Sequence, residues 1–132
     1  MPTRKMFSGV RKVHKAVLGA LLLSGKSLHP YQYGKKIFWT LDFMAPTGPV
    51  WDVNANPLLL TEDKVREMID LGYLTIVSDT EVSLTVLGAT LAEDSQDDWY
   101  WWWKGFFEKD TMPNGRPLDW VHYFETGTMR ST

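Results

Sequence analysis

Apolar residues recur along this chain in two distinct rhythms. Val10, Val13, Val17, Leu18, Leu21 and Leu22 fall at helical spacing, which predicts a helix from about Val10 to Leu23, ended by Ser24-Gly25-Lys26-Ser27. The run Leu28 to Phe38 reads as a second helix, with Pro30 at its first helical position. Thr61 is placed to cap a third helix, whose first turn holds Glu62 and Asp63, where the dipole favours acids. Val65, Met68, Ile69 and Leu71 form its apolar face, and Gly72 ends it, because glycine reaches the left-handed conformation cheaply. The rhythm then changes to alternation. Leu74, Ile76, Val82 and Leu84 interleave with polar residues across Ser78-Asp79-Thr80-Glu81, a hairpin signal, and Thr85 is placed to cap another helix. Val86, Leu87, Leu91 and Ala92 carry that helix's apolar face, and an acidic patch of Glu93, Asp94, Asp97 and Asp98 follows.

Between residues 39 and 57 the pattern is irregular, with Pro46, Gly48, Pro49 and Pro57 among Trp39, Phe43, Val50 and Trp51. This reads as an insertion, in which Val50-Trp51-Asp52-Val53 is a candidate short strand. Seven of the nine residues from Trp99 to Phe107 are aromatic. On a helix, Trp99, Trp102, Trp103 and Phe106 share one side, and Tyr100, Trp101 and Lys104 lie elsewhere. A single core does not hide aromatic rings all the way round a helix. Trp99, Tyr100, Trp101, Trp102, Trp103, Phe106 and Phe107 are therefore the candidate protein interface. Asn114-Gly115 marks a turn, Leu118 to Phe124 a last short element, and Glu125 to Thr132 a loose polar end.

Helix, hairpin, helix over residues 60–94 resembles the second half of a winged helix-turn-helix domain of the PadR-like and MarR-like kind. Asp70-Leu71-Gly72-Tyr73-Leu74 is similar to the phrase that closes the recognition helix in those regulators. Leu84-Thr85-Val86-Leu87-Gly88 is similar to the "Leu-Thr-x-x-Gly" phrase into which their wing returns. Residues 10–38 match loosely, and the family's "hGY-x-I" phrase is altered here, because Gly34 follows Tyr33 instead of preceding it. The fold expected is α+β: a basic arm (1–9), a winged helix with a two- or three-stranded wing (10–94, with the 39–57 insertion), and a helical, Trp-rich C-terminal extension (95–132). The resemblance implies double-stranded DNA as partner and a homodimer as assembly.

Charge sharpens this picture and complicates it. Residues 1–41 contain eight bases and no acid, whereas residues 42–132 contain all 16 acids and six bases, so the parts carry +8 and −10 within a net charge of −2. Such asymmetry points to an anionic partner for the first part, or to mutual neutralisation of the two parts. The candidate nucleic-acid contacts are Arg4, Lys5, Arg11, Lys12, Lys15, Lys35 and Lys36, with Lys64 and Arg66 from the third helix. That helix also bears Glu62, Asp63, Glu67 and Asp70, and the hairpin tip bears Asp79 and Glu81, a surface that a duplex repels. The alternative is a winged-helix interaction module or inhibitor that holds a heterologous partner protein through an acidic, Trp-rich surface.

No catalytic arrangement stands out. Cysteine is absent, so there is no thiolate nucleophile, disulfide or cysteine metal site. His14, His29 and His122 lack ligand spacing, and Asp119 with His122 reads as a surface pair. No phosphate loop or nucleophile elbow is present. The expectation is a non-enzymatic, cytoplasmic protein without metal or cofactor. The longest apolar run, Ala16 to Leu23, is eight residues and too short to span a bilayer.

Overall fold

The computed structural model describes residues 12–41, 59–107 and 112–132. The fold is α+β, with helices α1 (Lys12–Ser24), α2 (Glu62–Asp70), α3 (Val86–Asp94), α4 (Gln96–Phe107) and α5 (Trp120–Thr126). The strands are β1 (His29–Tyr33), β2 (Lys36–Thr40), β3 (Leu60–Thr61), β4 (Leu74–Ser78) and β5 (Glu81–Leu84). These elements form two compact units, residues 26–88 and residues 1–25 with 89–132. The division thus falls at 25/26 and 88/89 rather than at the expected 94/95, and α1 belongs with the C-terminal helices.

In the unit of residues 26–88, the stretch read as a second helix is a β-hairpin. β1 and β2 pair antiparallel, from His29 opposite Thr40 to Tyr33 opposite Lys36. Gly34 takes φ +63° at the first position of the two-residue turn, where a hairpin needs a left-handed residue. The glycine that departs from the family phrase is therefore the turn itself. β2 also pairs with β3, Trp39 opposite Leu60, giving a three-stranded sheet in the order β1-β2-β3. The helix expected to complete a helix-turn-helix is thus absent from residues 28–38. The candidate strand Val50–Val53 lies outside the described residues.

From Thr61 the capping and hairpin signals hold, whereas Leu71, expected on the apolar face of α2, is 47% exposed. The Thr61 hydroxyl accepts the Lys64 N–H at 3.4 Å, capping α2. Replacing Thr61 by Ala is expected to cost about 1 kcal/mol, read as a lower urea midpoint with an unchanged slope. At the other end, Gly72 at φ +84° closes a Schellman motif: Gly72 N–H donates to Ile69 and Tyr73 N–H to Met68. The side chains of Val65 and Met68 enter the core with Leu28, Leu60, Tyr73, Leu74 and Val82. β4 and β5 form the expected hairpin, Leu74 opposite Leu84 and Ile76 opposite Val82, with an irregularity between Ile76 and Ser78. Ile76 departs from the expected alternation, since it is 64% exposed although it follows the period of buried Leu74.

In the other unit, α1 packs against α4 and α5. Gly19 of α1 meets the Trp99 ring so closely that a Cβ there would overlap it. Trp103 donates its indole N–H to the Ala16 carbonyl at 2.8 Å, and Trp99 donates to Ala92 at 2.6 Å. α5 starts at Asp119, whose carboxylate accepts the His122 N–H, and stops at Gly127 (φ +74°). Residues 127–132, expected to be loose, fold back instead. Asp119 N–H donates to the Arg130 carbonyl, Thr132 N–H donates to Pro117, and Arg130 pairs with Asp119 at 3.1 Å.

Candidate functional site

The aromatic helix α4 divides by face. Trp99, Trp103 and Phe107, at i, i+4 and i+8, are buried. Trp103 and Phe107 make a ring cluster with Phe124, with centroids 4.8 Å and 5.8 Å from it. This corrects the expected interface: these three rings form the unit's own core and are not presented to a partner. Trp102 and Phe106 are half-buried and stack on each other, their planes 7° apart. Trp101 is 61% exposed and Tyr100 38% exposed. Their rings meet edge to face at 5.7 Å, and the Lys104 ammonium sits 4.6 Å from the Trp101 ring centre. Of the seven aromatics singled out, Tyr100 and Trp101 thus form the presented surface, with Trp102 and Phe106 at its border. Asp97 and Asp98 flank Trp101 and Trp102 around an open pocket.

The basic candidates are dispersed. Arg4, Lys5 and Arg11 lie outside the described residues. Lys12 begins α1. Lys15 pairs with Asp98 at 3.0 Å, its side chain 15% exposed. A nearby carboxylate of the same unit thus answers the cation that the sequence left facing an outside anion. Lys35 and Lys36 are exposed at the β1–β2 turn, and neither makes an ion pair among the described residues. On α2, Lys64 is exposed, while Arg66 pairs with Glu62 at 3.4 Å with both side chains largely exposed to solvent, which screens the pair heavily.

A third surface was not foreseen. α2, β2 and the β4–β5 hairpin enclose an open groove of about 240 Å³. Its apolar lining comes from Trp39, Val65, Ile69, Ile76 and Val82. Its polar rim comes from the Glu62–Arg66 pair, Asp70, Ser78 and Asp79. Asp70 closes α2, whose last turn contains no base. A carboxylate at a helix C-terminus adds to the negative end of the dipole instead of offsetting it. The sequence signal for this groove was Ile76, an apolar residue in phase with the core yet beside the charged Asp79 turn.

The histidines remain apart. His14 is buried in α1, His29 donates Nδ1–H to the Thr80 carbonyl at 2.9 Å, and His122 lies in the first turn of α5. No group of three or more His, Asp or Glu side chains is arranged to hold a metal among the described residues. None of the described helices is long and apolar enough to cross a membrane. Burial raises the Tyr73 phenol above its ordinary pKa of 10.0, as expected for a core tyrosine. No protein-family model, curated protein or solved structure matches the chain.

Proposed function

We propose that this protein is a non-enzymatic interaction module that holds a partner protein through the exposed face of α4. The observation that carries this reading is Trp101, 61% exposed on a helix whose other face is already packed. A tryptophan left in water beside a flanking tyrosine and charged residues has the composition of an interface hot spot. Trp101→Ser is expected to weaken partner binding by about 2 kcal/mol or more while leaving the melting temperature nearly unchanged. Affinity capture with wild type and variant, from cells of the source, provides the measurement. Partners retained equally by both proteins would refute the assignment.

A second reading has one observation in its favour. Lys35 and Lys36 project from the β1–β2 turn without ion pairs among the described residues, in a stretch free of acids. This supports the DNA-binding regulator that the winged-helix resemblance implies, with the hairpin tip on phosphate. Anisotropy titration against random duplex DNA at low salt and again at about 200 mM separates the two readings, because phosphate contacts weaken steeply with salt.

A further inference from the structure

The groove between α2, β2 and the β4–β5 hairpin combines an exposed aliphatic side chain with a rim of carboxylates. Ile76 exposes most of its side chain at the edge of a floor made of buried Val65 and Val82 and half-buried Trp39 and Ile69. Asp70 and Asp79 stand over that floor, and neither makes an ion pair among the described residues. Arg66, the one base at the rim among the described residues, is already joined to Glu62. Asp70 also sits at the helix end where its charge is least welcome, so an incoming cation would neutralise the carboxylate and offset the negative end of the α2 dipole.

Size and charge decide the class of occupant. At about 240 Å³ the groove lies below the usual range of small-molecule pockets, which starts near 300 Å³. It suits one or two side chains of a peptide laid across it. Nucleic acid is disfavoured, since Glu62, Asp70 and Asp79 face the same space. An arginine suits all three parts of the site. Its guanidinium pairs with carboxylates, its plane stacks on an indole such as Trp39, and its stem covers apolar surface.

We propose that this groove captures a basic amphipathic segment of a partner protein, an arginine set between Asp70 and Asp79 and a neighbouring aliphatic residue seated against Ile69 and Ile76. The proposal rests on the reading of the chain as an interaction module, but it uses a different surface from Trp101.

The test uses the full chain and two fluorescein-labelled synthetic helical peptides, one with a Leu face and an Arg face, the other with every Arg replaced by Glu. Wild type is expected to bind the Arg peptide and not its Glu twin. Asp70→Asn with Asp79→Asn should weaken binding about tenfold or more, which corresponds to losing one strong charge-assisted contact. Ile76→Ser should weaken it severalfold, and Glu93→Gln, an acid elsewhere on the surface, should not change it. The double variant removes an acid from a helix C-terminus, so its melting temperature should not fall, and loss of binding cannot be assigned to unfolding. Equal binding of both peptides, binding that ignores Asp70, Asp79 and Ile76, or no binding of the Arg peptide would overturn the proposal. Duplex DNA bound in a manner that Ile76→Ser abolishes would instead give the groove to nucleic acid. Trp101→Ser should leave peptide binding intact, so failure at the α4 surface and failure at the groove are told apart.

Discussion

Trp103→Ala is expected to remove about 3–5 kcal/mol of stability, the largest loss from any single truncation among the described residues. The ring is fully buried, donates its N–H to the Ala16 carbonyl, and contacts Trp102, Phe106, Phe107 and Phe124. Truncation leaves a cavity the size of an indole at the meeting of α1, α4 and α5, where neighbouring rings are too stiff to collapse into it. Against the 5–15 kcal/mol that holds a typical domain together, such a loss is decisive. Calorimetry should show the melting temperature falling by more than about 10 °C. Trp103→Phe separates the two contributions: it keeps most of the burial, loses the hydrogen bond, and should cost about half as much. A drop of only a few degrees for the alanine variant would mean that the ring is not the keystone of this unit.

Gly88→Ala is expected to cost about 3 kcal/mol, a large penalty for one methyl group. A Cβ at Gly88 would land on the Tyr73 carbonyl and press on the Leu84 side chain. That carbonyl cannot retreat freely, because it accepts the Thr85 N–H at 3.1 Å. The Thr85 hydroxyl in turn donates to the Gly72 carbonyl at 2.5 Å and accepts the Gly88 N–H at 3.0 Å. One methyl therefore disturbs the stop of α2, the return of β5 and the start of α3 together. Gly105→Ala is the matched control: it lies in α4 with nothing among the described residues within 4 Å of a new Cβ, and helix propensity alone should make it neutral or stabilising. Urea denaturation of both variants checks the contrast, and similar midpoints would refute the packing argument.

The same residues explain what the sequence made legible. Thr61, Gly72, Thr85 and Gly88 act over four residues or fewer, or across one tight junction, and their chemistry shows in their identities. The segment from Leu60 to Asp94 could be read for that reason. Residues 28–38 were misread because Pro30 at the start and a family phrase favoured a helix, whereas Gly34 after Tyr33 and the run Ile37-Phe38-Trp39-Thr40 favoured a turn and a strand. The β1–β2 pairing is local and was open to reading, but β2 is also paired on its other edge by Leu60 and Thr61, which lie beyond a local window. The aromatic run failed more narrowly. Taking Trp99, Trp102, Trp103 and Phe106 as one stripe rotates the helix slightly from the true core line of Trp99, Trp103 and Phe107, and only packing against α1 and α5 fixes that rotation. The groove was legible only through Ile76, and whether that side chain faces core or water depends on where α2 ends over the hairpin.

The Trp102 and Trp103 rings lie 4.9 Å apart at 83°. Two indoles so near couple their electronic transitions, and coupled transitions contribute to far-ultraviolet circular dichroism in the region normally read as helix. The ellipticity of this protein therefore mixes a chromophore pair with its backbone. A substitution at either ring should change the spectrum even where every helix survives, so infrared amide bands or backbone chemical shifts are the sounder gauge of its secondary structure.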